Sequence, residues 1–119
     1  MDSVKIGDLR PGMENVDLRV RVLRLKEPRE ITTYTGLEHV LVEGEVEDQT
    51  GRAVLTVWND MIGQLEGVEV GAVAELRSCF ITSFQGVIHI NVGRGSEIID
   101  PGRREEGEGG RGEDGGPEG

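Results

Sequence analysis

The sequence predicts an all-β domain, a small barrel of five strands, and three observations support this fold class. Short segments in which apolar and polar residues alternate recur between turn-forming residues. The chain has 119 residues, enough for one domain, and 35% of them are apolar, with 19 glycines. That composition suits a compact β domain better than a helical bundle. One short helical segment interrupts the series, between the third and fourth predicted strands.

The first two predicted strands lie in the amino-terminal half. Residues 4–15 form an irregular lead-in with a Pro-Gly turn. Residues 16–22 alternate aliphatic and charged side chains, as a half-buried strand does. Pro28 stops this strand, a loop follows over residues 27–37, and the second strand covers about residues 38–47.

A tight turn and a strand rich in Val, Leu and Thr come next. The Asp-Gln-Thr-Gly sequence at residues 48–51 is typical of a compact connection. Residues 52–59 form the third strand. The segment after it favours a short helix over residues 61–65, with Asp60 as its amino-terminal cap and Gly67 as its stop.

The carboxy-terminal part supplies two more strands and then changes composition. The fourth strand spans about residues 72–82 and the fifth about residues 86–92, with a short turn between them. From Pro101 onward nearly every residue is Gly, Glu or Arg, so no core can form there. The sequence therefore predicts one domain over residues 1–100 and a disordered acidic tail over residues 101–119.

This order of elements is that of an OB-fold, a five-stranded, partly open Greek-key barrel. OB-folds bind oligonucleotides on strands two and three and on the loops that join strands one to two and four to five. Trp58 lies at the end of the third predicted strand, and Phe84 lies in the turn between the fourth and fifth. Arg29 and Tyr34 lie in the long loop between the first and second strands. The candidate binding residues therefore converge on the places where this fold binds nucleic acid.

Three of the four aromatic residues favour stacking on nucleic-acid bases: Trp58, Phe80 and Phe84. Alternation along the third strand places Trp58 on the face opposite Leu55 and Val57. Stacking of an exposed aromatic ring contributes roughly 1–3 kcal/mol per base and tolerates any base sequence. These residues therefore indicate a sequence-independent, single-strand binder.

Each of the three aromatic residues also has an alternative interpretation. Trp58 is a core residue if the end of the third strand is covered, since tryptophan is usually highly buried. Phe80 points outward if the fourth strand alternates from Val73, and a β-bulge would reverse this. Phe84 lies in a polar turn and is expected to be exposed, unless it folds back to plug the barrel.

Net charge opposes a strong non-specific attraction to nucleic acid. The tail has three arginines and six acidic residues, so residues 1–100 carry −7 of the formal charge of −10. One interpretation is a polarised surface, with a basic groove set apart from the glutamates of the second strand. The other is ordinary alternating charge on two solvated strands. The basic residues in question are Arg19, Arg21, Arg24, Lys26 and Arg29.

No residue pattern predicts catalysis, a cofactor or a metal site. His39 and His89 have no carboxylate or cysteine at ligand spacing. Cys79 is the only cysteine, so no intrachain disulfide is expected. The glycines around Arg94 lack the helix and the Lys-Ser/Thr of a P-loop. With no apolar stretch of membrane-spanning length, the expected location is cytoplasmic and nucleoid-associated.

The chain resembles the single-OB-fold, single-stranded DNA-binding proteins of archaea, which are related to the small eukaryotic sensors of single-stranded DNA. The resemblance covers about residues 4–99. It is carried, in order, by Ile6-Gly7-Asp8-Leu9-Arg10-Pro11-Gly12-Met13-Glu14-Asn15-Val16, Val20-Arg21-Val22-Leu23, Asp48-Gln49-Thr50-Gly51-Arg52, Leu55-Thr56-Val57-Trp58 and Thr82-Ser83-Phe84-Gln85-Gly86.

The resemblance implies which residues meet DNA. Aromatic side chains of the family stack on successive bases, and one of the matching positions, Phe80, is often tryptophan there. A binding loop brings a cation and hydroxyls to the phosphates, and Tyr34 stands where a basic residue is common. The expected DNA-binding residues are Trp58, Phe80, Phe84, Arg29, Thr32, Thr33, Tyr34, Arg21, Arg52 and Arg94.

The sequence thus predicts a non-enzymatic, monomeric protein that binds single-stranded DNA and protects exposed strands in replication, recombination and repair. Binding of single-stranded RNA by the same face is a close variant. An OB-fold adaptor that binds proteins through its acidic surface is the alternative. The tail is a candidate element for recruiting replication or repair proteins.

Overall fold

A computed structural model describes residues 4–99 of the chain. The tail predicted over residues 101–119 lies outside the described residues, and the division into domain and tail stays a prediction. The described strands are β1 (Val16–Leu25), β2 (Arg29–Thr32), β3 (Glu38–Asp48), β4 (Gly51–Trp58), β5 (Val73–Phe84), β6 (Val87–Val92) and β7 (Glu97–Ile99). Two 3-10 helices accompany them, η1 (Ile6–Asp8) and η2 (Asn59–Leu65).

Five of these strands close into a barrel, which confirms the predicted OB-fold. The strands are hydrogen-bonded in the order β1, β3, β4, β6, β5, and a further pairing of β5 with β1 closes the ring. The β4–β6 pair is parallel, whereas the other barrel pairs are antiparallel. Strands β4 and β6 are neighbours in the barrel although β5 lies between them in the chain. Such non-consecutive neighbours are the Greek-key feature of the fold.

Two short strands extend the barrel beyond the sequence prediction. Residues 27–37 were predicted to be a loop, but β2 forms within them and pairs with β3. Strand β7 pairs with β5 after the last predicted strand. Strand β2 has four residues and β7 has three. Segments this short contain too few residues for an alternating pattern to be recognised.

The barrel interior follows the alternation of the sequence. On β1 the aliphatic residues are buried and the charged residues between them are exposed. Leu55 and Val57 of β4 are buried together with Val42 and Val46 of β3. Removing such side chains from water is worth about 1.5–3 kcal/mol each, which makes this interior the main stabilising element.

A β-bulge in β5 decides which side of the barrel Phe80 occupies. Ala74 and Leu76 are buried, then Arg77 and Ser78 are both exposed, and Cys79 is buried again. Ser78 has a positive φ of 58°, and its N–H donates to Asp17 Oδ1 at 2.9 Å. The strand does not alternate without interruption from Val73, and the β-bulge considered as the alternative is present. The bulge shifts the phase by one residue, and Phe80 still faces outward.

The segment after β4 is helical as predicted, but its start differs. Asp60 was predicted as the cap, whereas it lies inside η2, which follows Trp58 directly. The turn into η2 is made by Asn59 with a positive φ of 47°. Asparagine tolerates this left-handed conformation better than most residues, which allows the helix to begin two residues earlier than predicted.

Asp48 attaches the lead-in to the barrel. Its Oδ2 accepts the Ile6 N–H at 2.8 Å, and its Oδ1 accepts the Thr50 N–H at 2.7 Å. Burial opposes ionisation, but the hydrogen bonds from Thr50, Ile6 and Gly51 together hold the pKa of this carboxyl below its ordinary value. The carboxylate is therefore ionised at neutral pH and fixes the lead-in. Within residues 4–99, no helix has the length and apolar character needed to cross a membrane.

Candidate nucleic-acid interface

The outer surfaces of β4, β6 and β5 form one continuous face, because directly paired residues of neighbouring strands point to the same side. Thr56 pairs with Asn91, which pairs with Phe80 on its other side. His89 pairs with Thr82, and Val87 pairs with Phe84. We call this surface the aromatic face; its members are Trp58, Phe80, Thr82, Phe84, Val87, His89 and Asn91.

All three predicted stacking residues reach the surface on this face. Phe84 is 64% exposed and Phe80 is 39% exposed, while Trp58 is half-buried. Phe84 therefore does not plug the barrel, and Trp58 is not a core residue. Phe80 and Phe84 are four residues apart on one strand, a separation of roughly 13 Å. The rings are too far apart to stack on each other and offer separate surfaces for bases.

Trp58 is held by two neighbours. Its indole N–H donates to Asn91 Oδ1 at 3.1 Å. The His39 ring meets the indole edge-to-face, with 5.8 Å between ring centroids and an interplanar angle of 87°. The orientation of the indole is therefore set in the free protein. The sequence predicted no role for His39, and its contact with Trp58 was missed.

The proton position on His39 follows from its hydrogen-bond partner. Asn59 Oδ1 accepts the Val40 N–H at 3.0 Å, so its Nδ2 is directed at His39 Nδ1, 3.0 Å away. An amide nitrogen only donates, so Nδ1 is the acceptor and the neutral ring carries its proton on Nε2. This arrangement couples the start of η2 to the ring that supports Trp58.

Phe80 lies across a glycine in the turn after β6. A Cβ on Gly93 would come within 3.1 Å of Phe80 Cε1, so the absence of a side chain makes room for the ring. Ser96 fastens the same turn: its hydroxyl accepts the Gly93 N–H and donates to the Ser78 carbonyl. Arg94 follows Gly93 in this turn and is exposed, and no carboxylate within residues 4–99 lies within 4 Å of its guanidinium.

Arg29 lies in the same row as Trp58, two strands away. Arg29 pairs with Leu41, which pairs with Trp58 across β3 and β4, so the three share one row of the outer surface. Two strand spacings separate Arg29 from Trp58, or about 10 Å. Tyr34 at the loop tip is fully exposed. The Thr33 hydroxyl accepts the Leu37 N–H at 3.2 Å, which uses it within the loop.

The basic and acidic residues are interleaved, and the hypothesis of a separate basic groove was wrong. Strands β1 and β3 are neighbours, so their opposite charges face each other. Arg24 lies 3.5 Å from Glu45, Arg29 lies 3.4 Å from Glu43, and Arg52 lies 3.7 Å from Glu47. The alternative of alternating charge on adjacent strands describes this surface. Three cations of the region are thus partly neutralised by the glutamates of β3.

Two of the predicted binding residues lie away from Trp58. Arg21 and Arg52 both pair with Glu47, one from each side. Arg52 is six residues before Trp58 on β4, roughly 20 Å along the strand. Arg21 donates to the Gly71 carbonyl at 3.0 Å. Thr32 ends β2 and is exposed. The structure thus places Arg29 in the row of Trp58, whereas Arg52 lies at the level of Val87 and Phe84, because Val54 of β4 pairs with His89 of β6.

Cys79 has no catalytic environment. Burial raises the pKa of its thiol to about 12, and the negative charge of Asp17 adds to the shift. A protonated, buried thiol is not nucleophilic at neutral pH. Among residues 4–99, no three His, Cys, Asp or Glu side chains come together as a possible metal site.

Thr56 provides a stability prediction. Its Oγ1 is the one buried side-chain oxygen in residues 4–99 without a hydrogen-bond partner, and the residue is 3% exposed. Because an unpaired buried hydroxyl costs roughly 1–3 kcal/mol, Thr56→Val should raise the free energy of unfolding by about 1 kcal/mol. Urea unfolding followed by circular dichroism measures this change. A lower unfolding midpoint would show that the hydroxyl has a partner in solution.

The amino-acid sequence of this chain is similar to those of known proteins. The family described as "Single-stranded DNA binding protein Ssb-like, OB fold" matches residues 9–99. The single-stranded DNA-binding protein Ssb of Saccharolobus solfataricus is 35% identical over 96 residues, 81% of this chain. The matched region is 62% of that curated relative, so this chain spans less than two thirds of its length.

Solved structures show the same fold. The replication factor A related protein of Methanobacterium thermoautotrophicum has a TM-score of 0.70 and 26% identity, over 84% of this chain and 93% of that one. A domain of replication protein A from Methanococcus maripaludis has a TM-score of 0.57 and 27% identity, over 82% and 94% of the two chains. The family resemblance found in the sequence is confirmed. This chain belongs to the Ssb-like family of single-stranded DNA-binding proteins with an OB-fold.

Proposed function

We propose that this protein binds single-stranded DNA without sequence preference by stacking bases on Trp58, Phe80 and Phe84. The observation that carries the proposal is the position of these three side chains on one face of paired strands, each reaching the surface. Three stacked bases would supply roughly 3–9 kcal/mol, since each contributes about 1–3 kcal/mol. Every base has a π face, so this contribution does not depend on sequence.

Phosphate contacts are assigned to Arg94 and Arg29. Arg94 follows Gly93, the residue that leaves room for the Phe80 ring, and Arg29 lies in the row of Trp58. Arg29 is 3.4 Å from Glu43, and its side chain is 58% exposed. An exposed ion pair is worth about 0–1 kcal/mol, so a phosphate can replace the carboxylate at small cost. Binding is therefore dominated by stacking rather than by charge.

The names of the relatives support a proposal for the biological setting. The curated relative is named as a single-stranded DNA-binding protein, and two structural neighbours are named after replication protein A or replication factor A. The proposed role is to cover exposed strands during replication, recombination and repair, with one aromatic face on each monomer. Residues 101–119 are the candidate segment for recruiting protein partners.

Fluorescence titration tests the proposed function. Oligo(dT) should quench the emission of Trp58 and saturate within 4–16 nucleotides per protein, the range for one OB-fold. With two phosphate contacts, the slope of log K against log salt should be about −1.4. Arg94→Gln should halve this slope while leaving the quenching in place.

Two outcomes separate the alternatives. Unchanged emission at every oligonucleotide length and salt concentration would overturn the proposal and favour a protein-binding adaptor. The same titration with oligo(U) tests RNA binding. Equal affinity would mean that no side chain of the face distinguishes the 2′-hydroxyl.

A further inference from the structure

Asn91 is a buried polar residue in the middle of an otherwise exposed aromatic face. It is 4% exposed, although Phe80, its partner on β5, and Trp58, two residues beyond its partner on β4, reach the surface. Burying an amide without hydrogen bonds is unfavourable, so a buried asparagine at such a place requires partners. The partners of Asn91 connect the two outer strands of the face.

Every polar atom of this amide is used. Its Oδ1 accepts the indole N–H of Trp58 at 3.1 Å. Its Nδ2 is 3.1 Å from the Phe80 carbonyl, 3.1 Å from Thr82 Oγ1 and 3.3 Å from the His89 carbonyl. One side chain of β6 therefore joins the indole of β4 to the backbone of β5.

The orientation of the amide is determined by these partners. The backbone carbonyls of Phe80 and His89 only accept hydrogen bonds, so they face the NH₂ group. The indole N–H only donates, so it faces the carbonyl oxygen. A rotated amide would oppose donor to donor and acceptor to acceptor. The hydrogen bond to Trp58 is thus specified by the strand pairing of β5 and β6.

We propose that Asn91 is a positioning residue for base stacking, which sets the plane of the Trp58 indole relative to Phe80 before DNA arrives. This inference rests on the proposed function of the aromatic face. A side chain that is ordered in the free protein loses less conformational entropy on binding. Asn91 itself need not touch DNA, since it is buried and its hydrogen-bonding groups are occupied.

A double-mutant cycle tests this role. Asn91→Leu removes both polar groups with little change in size, and binding is followed by the anisotropy of fluorescein-labelled oligo(dT). The variant should bind five- to tenfold more weakly, because the Trp58 side chain must then be ordered when DNA binds. In a Trp58→Ala background the same change should have no further effect on affinity. Equal weakening in both backgrounds would overturn the proposal.

The matched control is Thr56→Val. Thr56 is the residue of β4 that pairs with Asn91 of β6. The substitution removes a hydroxyl that has no hydrogen-bond partner among residues 4–99, so the affinity of this variant should stay within twofold of the parent. A loss equal to that of Asn91→Leu would mean that any change in this row weakens binding, and would overturn the specific role of Asn91.

The indole N–H of Trp58 can be observed directly by NMR. Because the chain has one tryptophan, its nitrogen–proton spectrum should contain one indole signal. In the parent this proton should exchange slowly with water, and Asn91→Leu should shift the signal and speed its exchange. An indole proton of the parent that exchanges as fast as that of free tryptophan would overturn the proposal. If Asn91→Leu does not fold, replacing Trp58 by benzothienylalanine removes the N–H and keeps the ring size. That protein should show the same five- to tenfold loss of affinity.

The two proposals fail in different ways. A parent protein that does not bind oligo(dT) would overturn the proposed function, and the positioning role with it. Parent binding together with an unchanged affinity of Asn91→Leu would overturn only the role of Asn91.

Discussion

Replacing Trp58 and Phe84 together by alanine should reduce the affinity for oligo(dT) by about 30-fold to 10⁴-fold and leave the barrel folded. Loss of two stacked bases removes roughly 2–6 kcal/mol, and each 1.4 kcal/mol is a factor of ten. Phe84 is 64% exposed, and Trp58 lies half-buried at the end of β4, outside the buried interior. Both rings lie on the outer side of the barrel, so their removal should weaken DNA binding without unfolding the protein.

The measurement is the anisotropy of fluorescein-labelled oligo(dT), accompanied by a thermal melt followed by circular dichroism. Val70→Ala is a suitable control, because Val70 is also an exposed apolar residue, at 61%, but lies in the connection from η2 to β5. The control should bind like the parent. A folded double variant with parental affinity would contradict the stacking role, and a variant that fails to fold would show that these rings support the interior.

Gly44→Ala should destabilise the barrel by about 3 kcal/mol or more. Gly44 is buried in β3 and pairs with Leu25 of β1. A Cβ there would be pressed against the Arg24 carbonyl oxygen, and would lie 2.9 Å from Leu25 Cδ2. Overpacking usually costs about 1–3 kcal/mol, and a backbone neighbour relaxes less than a side chain does. The two strands would have to separate where β1 carries its register shift.

Chemical denaturation measures this change, with Gly63→Ala as the control. Gly63 lies in η2, and a Cβ there meets no atom within 4 Å. The control should unfold at the parental denaturant concentration or slightly above it, since alanine lowers the entropy of the unfolded chain. Unaltered stability of Gly44→Ala would mean that β1 and β3 are farther apart in solution than the structure shows.

Prediction from sequence succeeded where apolar and polar residues alternate regularly along one strand. Alternation placed Trp58 opposite Leu55 and Val57, and the latter two are buried in the barrel. It failed at the bulge of β5, where the side of the barrel occupied by Phe80 depends on an extra residue opposite Asp17. The outward direction of Phe80 was correct, although the phase assumed for the first half of the strand was wrong.

The charge pattern and Asn91 could not be interpreted from the chain alone. Arginines and glutamates that are distant in sequence become neighbours only when β1 pairs with β3. The alternation of residues along a strand does not show that a polar residue such as Asn91 is buried. Nothing near residue 91 in the sequence connects it to Trp58, which is 33 positions away and donates to it in the structure.

The sequence by itself determined the barrel fold, the family and the outward placement of Trp58, because hydrophobic alternation and turn residues act locally along each strand. Only the tertiary structure decided which cations are paired, how the Trp58 indole is oriented and where the rings lie relative to one another. Those properties depend on which strands become neighbours and in what register, and register is set by closure of the whole barrel.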